Sequence, residues 1–334
     1  MPPIPSLGNG VAVPISTDQY AELLESLRSG DLPAAETEFL VDWMGVRTRI
    51  PMLPWAPSEL AGATRTQLPI PDDGYRSEDF EYVALARTVR DVVDRPLVMV
   101  EIGAGWAPWA VAGLVSARGR GISGIAVAIE ADRRKCTWAA QHGQDNGLDV
   151  ATVAGKPRHL VRRLREAIDS WNRRDPLLII VESAAWHETT TVEFPDAPID
   201  DMGTAVWTLP GTNVDYRGAH LRHSSISALG IPDLLEALAP ASNAPIDLLH
   251  VDVQGVEFEL LERTASAIQD NTRLMAVGTH NRLSEGRLQY FFLERGWGLL
   301  IDQPCKAQFT MTHPTLSGFT EQDGMQLWEN PFVL

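Results

Sequence analysis

Leu97-Val98-Met99-Val100-Glu101-Ile102-Gly103-Ala104-Gly105-Trp106-Ala107-Pro108 is the stretch whose reading decides the fold. An apolar run without polar alternation is what a strand buried on both faces of a parallel sheet requires. The two glycines then predict a tight turn that lets backbone approach a ligand closely. Trp109, Val111, Ala112 and Leu114 open a helix directly after it. Upstream, residues 77–93 have a helical apolar stripe with an acidic first turn, and Pro96 ends that pattern.

Working outward, strand and helix patterns keep alternating. Gly124–Ile129 is a second buried strand, and helical patterns follow over 132–144 and 157–172. Leu177–Val181 reads as a third strand, Ile246–Val253 as a fourth with a helix over 256–268, and Leu274–Thr279 as a fifth with a helix over 288–295. Residues 298–334 suit closing strands. Such alternation predicts an α/β fold, a Rossmann-like doubly wound and mostly parallel sheet, whose ligands bind beyond the carboxyl ends of the strands where the strand order reverses. The division expected is an appendage over residues 1–76 and a main domain over 77–334. Within the appendage Thr17 or Asp18 can cap a short helix through Tyr20, Leu23, Leu24 and Leu27, and residues 51–73 and 195–218 read as loops.

Composition narrows the function. A formal net charge of −16 repels a nucleic-acid backbone at long range, so no nucleic-acid partner is expected. Cys136 and Cys305 are too few for a disulfide framework and lack the spacing of a zinc knuckle, which fits a reducing cytoplasm. No apolar run is long enough to insert in a membrane, and the first ten residues lack the pattern of a signal peptide. The basic clusters Arg133-Arg134-Lys135 and Arg162-Arg163 with Arg165 read as solvated helix faces.

The glycine turn has two carboxylates beside it. A dinucleotide site wants a third glycine at position 108 for close packing around a pyrophosphate, and Pro108 stands there. S-adenosylmethionine has no pyrophosphate but carries an ammonium and a sulfonium, so Glu101 has a cation to meet. Glu130, at the end of the second strand, can accept both ribose hydroxyls. Gly103, Ala104, Gly105 and Trp106 form the turn, with Ala131 next to Glu130. Trp109 is expected to pack the helix on the sheet.

Methyl transfer to a hydroxyl requires alignment of the acceptor lone pair and removal of its proton. Asp252, at the end of the fourth strand, is one candidate base. His280, ending the fifth, is the other, as its ordinary pKa suits proton abstraction near neutrality. His250, one strand period before Asp252, reads as a sheet-face histidine. No close ligand pair accompanies Asp252, Glu257 and His280, so no metal is expected.

These blocks resemble, in order, the FkbM family of methyltransferases. The matching stretches are Val100–Gly105, Ile129–Asp132 with Asp145–Leu148, Glu182–Phe194, Ile246–Glu259, Gly278–Asn281 and Glu294–Trp297. Ile246–Glu259, reading IDLLHVDVQGVEFE, is the most specific, with His250 where the family commonly has lysine. The resemblance covers roughly residues 98–302 and is interrupted by the extra helical stretch 157–175. It implies a class I methyltransferase type of fold, S-adenosylmethionine as cofactor, adenine contacts from Ser183 and Ala184, and O-methylation of a sugar or glycan hydroxyl. A natural-product scaffold, methylated at oxygen or carbon, is the rival acceptor. A non-catalytic S-adenosylmethionine-binding module and an NAD-dependent oxidoreductase are the rival classes. The appendage and residues 207–216 can cover the acceptor site or simply pack.

Overall fold

The structure, a computed structural model, describes residues 13–206, 214–215, 220–242, 244–311 and 315–333. The buried stretch quoted above forms β3 (Leu97–Ile102) and sits at the middle of an eight-stranded sheet. Around it lie β4 (Gly124–Glu130), β5 (Asp149–Ala154), β6 (Leu177–Glu182), β10 (Ile246–Val251), β11 (Thr272–Thr279), β12 (Gly298–Gln303) and β15 (Gly324–Glu329). The spatial order is β12-β15-β11-β10-β3-β4-β6-β5, and β15 pairs antiparallel with both its neighbours. After β3 the chain builds outward through β4, and it returns to β3's other side as β10. The strand order therefore reverses between β3 and β10, where a crevice opens beyond the strand ends.

Helices cover both faces: α2 (Asp79–Asp91), α3 (Pro108–Gly119) and α4 (Arg133–Asp145) on one, and α5 (Pro157–Asp169), α6 (Ile231–Ser242), α7 (Glu257–Arg263), α8 (Ala265–Asn271) and α9 (Arg282–Glu294) on the other. Successive strand residues point to opposite faces, and the sequence feeds two cores accordingly. Leu97, Met99, Ala126, Ala128, Leu178 and Leu248 join the first, whereas Val98, Val100, Ile125, Val127, Ile179 and Leu249 join the second. The α/β class and the doubly wound, mostly parallel sheet are thus as the sequence predicts.

Three elements differ from the sequence reading. β5 lacks a continuous apolar run because it is the half-exposed edge strand. The expected helix over 256–268 is divided at Thr264, whose hydroxyl donates to the Leu260 carbonyl and separates α7 from α8. A second, three-stranded sheet of β7 (Ala184–Trp186), β8 (Thr190–Asp196) and β9 (Arg222–Gly230) follows β6, its short apolar alternation at Val192 and Ile226–Ala228 set among polar residues.

The N-terminal segment contains α1 (Tyr20–Glu25) and the hairpin β1 (Phe39–Val41) with β2 (Arg47–Arg49). It packs tightly against the sheet domain. Leu23, Leu24 and Trp43 join the core beneath α2, with the Trp43 ring 4.9 Å from that of Tyr82. A buried ion pair joins Asp42 to Arg76 at 2.9 Å. Two short strands, β13 (Lys306–Ala307) and β14 (Thr320–Gln322), lie between β12 and β15. Among the described residues no helix is long and apolar enough to cross a membrane.

Candidate functional site

The turn after β3 is shaped by contacts that admit little variation. Gly103 has φ +73°, and a Cβ built there would stand 1.7 Å from the backbone oxygen of Asp252. The reason is the close seam between β3 and β10, where the Asp252 amide donates to the Ile102 carbonyl at 2.9 Å. The Gly105 amide donates to the Glu130 carboxylate at 2.7 Å, and the other oxygen of that carboxylate takes the Asp132 amide at 2.7 Å. Ala107 turns left-handed into α3, and Pro108 occupies the first turn, where its missing N–H costs nothing.

Beyond this turn, at the strand ends, lies a cleft. Of the residues singled out in the sequence, Gly103, Gly105, Glu130, Ala131, Ser183, Ala184 and Asp252 line it. The donor set suits S-adenosylmethionine. Each Glu130 oxygen keeps a lone pair after its amide bond and can accept a ribose hydroxyl. The Ser183 hydroxyl is buried without a partner, a polar atom that a ligand edge would satisfy.

Three expected cofactor residues are placed differently. Glu101 is 1% exposed beneath the turn, where its carboxylate accepts the Trp109 amide at 3.3 Å and the Ala110 amide at 2.7 Å at the start of α3. It does not line the cleft, and burial pushes its pKa up to about 7 against the pull of His250 and those amides. Ala104 is buried in the core under α3. Trp106 faces away from the cleft, packing on His142 at 4.7 Å and against Leu40, Ile50 and Tyr75 of the N-terminal segment. An indole of that size fits the apolar cluster better than a polar ligand cleft.

The sequence reading missed the far wall. Lys135, read as solvated, is buried, and its Nζ donates to the Asp201 carbonyl at 2.7 Å. Arg134 donates to the Ala197 carbonyl at 2.8 Å, so the start of α4 holds residues 197–206 along the cleft. Met202, Thr204, Ala205 and Val206 of that segment, with Phe194, Val253 and Gln254, complete the lining. The signal was present: Lys135 lies four before Ala139 and seven before His142, on the buried stripe of α4. Residues 207–213 and 216, which were expected to cover the acceptor or pack, lie outside the described residues.

Asp252 and His280 come together at the ends of β10 and β11. The His280 Nε2 is 3.2 Å from Asp252 Oδ1, its Nδ1 is 2.8 Å from Glu257 Oε1, and Asp323 lies 3.8 Å from Nε2. Burial alone would strip the proton from His280, but the Glu257 and Asp252 charges and hydrogen bonds outweigh it and hold the imidazole well above the usual histidine range. Burial likewise raises Asp252, and the hydrogen bond and charge of His280, then the charge of His250 and the Gln254 amide, bring it below the usual carboxylate range. Both ring nitrogens of His280 thus face carboxylates, an arrangement that favours its protonated form. Ligating atoms of Asp252, Glu257 and His280 lie within 4.8 Å of one another, a grouping able to hold a divalent cation. Their mutual hydrogen bonds already balance much of that charge.

His250 is buried, with Nε2 3.3 Å from Glu81 Oε1, and it pairs across the strands with Glu101. Trp109 packs edge-on against Tyr82 at 4.9 Å, as expected of a helix-packing residue.

No family model matches the chain. A curated protein of Jannaschia sp. (strain CCS1), named "Putative methyltransferase", is 25% identical over 301 residues, covering 90% of this chain and 93% of that one. Among solved structures, methyltransferase FkbM from Methylobacillus flagellatus KT is 14% identical with a TM-score of 0.34, covering 75% of this chain and 54% of that one. The chain thus spans about half the length of that protein. Precorrin-6y C5,15-methyltransferase from Geobacter metallireducens GS-15 is 10% identical with a TM-score of 0.34, covering 76% and 89%. This chain is thus similar along nine-tenths of both chains to a protein named a putative methyltransferase, and it carries a doubly wound sheet with an acid-flanked glycine turn at its switch point.

Proposed function

We propose that the chain is an O-methyltransferase that moves the methyl group of S-adenosylmethionine to a hydroxyl of a sugar or glycan. The observation that carries this reading is the seam at Gly103, where the turn facing the cofactor cleft touches the backbone of Asp252, an ionised carboxylate lining the same cleft. The cofactor supplies an electrophilic methyl on a sulfonium. Glu130 holds the ribose hydroxyls, Ser183 and Ala184 meet the adenine, and Glu101 braces the turn through the amides of α3. Asp252 accepts the proton from the acceptor hydroxyl. As the new oxygen–carbon bond forms, that proton becomes strongly acidic, so a carboxylate of depressed pKa is base enough.

The sugar acceptor rests on the FkbM resemblance. The apolar wall of Phe194, Val206 and Val253 favours, as the second reading, a natural-product scaffold. Residues 1–76 are read as a cap that reaches the cleft through Met202, which packs on the cluster of Leu40, Met52 and Leu60. A small-molecule or glycan acceptor in the cytoplasm, without nucleic acid, completes the proposal.

Calorimetric titration with S-adenosylhomocysteine and with NAD tests the cofactor: micromolar binding of the former alone is expected, and binding of NAD alone would sink the reading. A methyl-transfer screen over sugar nucleotides, glycans and glycosylated metabolites tests the acceptor. With any acceptor found, Asp252→Asn is expected to lower kcat by about 10²–10⁴-fold. Full turnover by that variant removes Asp252 from the role of base.

A further inference from the structure

Glu257 is the buried group for which the reaction so far gives no role. It opens α7, six residues past the end of β10, and is fully buried. Its Oε1 accepts the Gly255 amide at 2.8 Å and meets His280 Nδ1 at 2.8 Å, while Oε2 has no partner. The other ring nitrogen of His280 faces Asp252, and the His280 carbonyl is fixed by the Thr320 hydroxyl at 2.7 Å. One imidazole thus joins a carboxylate sealed in the protein to a carboxylate on the cleft.

We propose that Glu257 is a positioning residue for methyl transfer: it fixes the His280 ring through Nδ1, so that Nε2 faces Asp252 and holds that carboxylate toward the acceptor hydroxyl. This rests on the O-methylation reading. In the step itself the acceptor oxygen forms its bond to the methyl carbon, the carbon–sulfur bond breaks with its electron pair left on sulfur, and the hydroxyl proton passes to Asp252. His280 keeps its proton throughout. Leaving an unpaired carboxylate buried is costly, so the sealed side of the pair favours the imidazolium more strongly than the cleft side does. The groups that face this assembly from neighbouring elements are Asp323 beside His280, Glu78 beside Asp323, and the His250–Glu81 pair beside Asp252.

The test reads His280 directly. In protein labelled with ¹⁵N-histidine, wild-type His280 is expected to show two protonated ring nitrogens from pH 6 to 8. In Glu257→Gln its titration midpoint should fall by about one unit or more, a tenfold weaker hold on the proton. Glu257→Asp should restore most of that hold, and both variants should keep S-adenosylhomocysteine affinity within about twofold. With an acceptor in hand, Glu257→Gln should lower kcat at least tenfold and bend the pH profile, leaving KM little changed. A His280 neutral at pH 7 in the wild type, or one whose titration Glu257→Gln does not move, overturns the proposal. So does loss of turnover on chelation with recovery on added Mg²⁺ or Mn²⁺, which would make the cluster a cation site. Because the spectra need no acceptor, a failed acceptor screen counts against O-methylation alone.

Discussion

Substituting Gly103 by alanine asks how tightly the cofactor turn and the acceptor side are joined. Two costs combine at this position. A side chain at φ +73° pays about 1–2 kcal/mol for left-handed backbone. The new Cβ also lands 1.7 Å from the Asp252 oxygen and 2.8 Å from its carbonyl carbon, and backbone must move to accept it, an overpacking cost of about 1–3 kcal/mol or more. Gly121 supplies the control, because it shares φ +73° but has no heavy atom within 4 Å of an added Cβ. An unfolding entropy of ~2.1 cal/mol/K per residue over 334 residues gives roughly 0.7 kcal/mol/K. Differential scanning calorimetry should therefore show Gly121→Ala lowering Tm by about 1–3 °C and Gly103→Ala by about 3–7 °C. Titration of S-adenosylhomocysteine should be unaffected in the first and at least tenfold weaker in the second. If the two variants match in Tm and in affinity, the seam between Gly103 and Asp252 does not constrain the site.

Two further outcomes follow from buried charges. Glu101 carries a folded-state pKa near 7 against 4.5 for the free group, so between those values the folded chain binds the extra proton and stability falls as pH rises. The gain is complete below 4.5 and lost through 7, about 3 kcal/mol in all, so the Tm advantage of wild type over Glu101→Gln should shrink between pH 5 and 8; a constant difference refutes the shift. Lys135→Met keeps the apolar stem and deletes the bond to Asp201, which should weaken S-adenosylhomocysteine about tenfold, mostly through faster dissociation in stopped flow. Unchanged dissociation would mean that residues 197–206 stay in place without it.

How far the sequence discloses the molecule depends on which residues carry the signal. β3, β4, β6 and β10 are legible because both faces are buried and every residue is apolar or nearly so, and the switch point follows from their alternation with helices. Glu130 and Asp252 are legible as cleft residues because strand ends beside a switch point open onto the crevice, and both line it. Glu101 was placed by the same logic and lies one residue too deep, where the start of α3 supplies amides that a ligand's ammonium would otherwise replace. Residues 197–206 have no apolar period, and their position depends on two backbone carbonyls meeting Arg134 and Lys135, a tertiary fact with no local pattern.

His280 shows how the surroundings of a strand-end histidine set its chemistry. Its ordinary pKa suits proton abstraction, but the same turn that delivers Asp252 to the cleft also delivers Glu257 to the other ring nitrogen. The spacing is set by Gln254 and Gly255, both at positive φ, which reverse the chain between β10 and α7 within a few residues. Two carboxylates on one imidazole leave the proton nowhere cheaper to reside than the ring. In the proposed O-methylation the proton-accepting role falls to the carboxylate open to the cleft, and that carboxylate adjoins the backbone of Gly103 and the ring of His280. A change on either side should therefore be felt at Asp252, through geometry in Gly103→Ala and through protonation in Glu257→Gln.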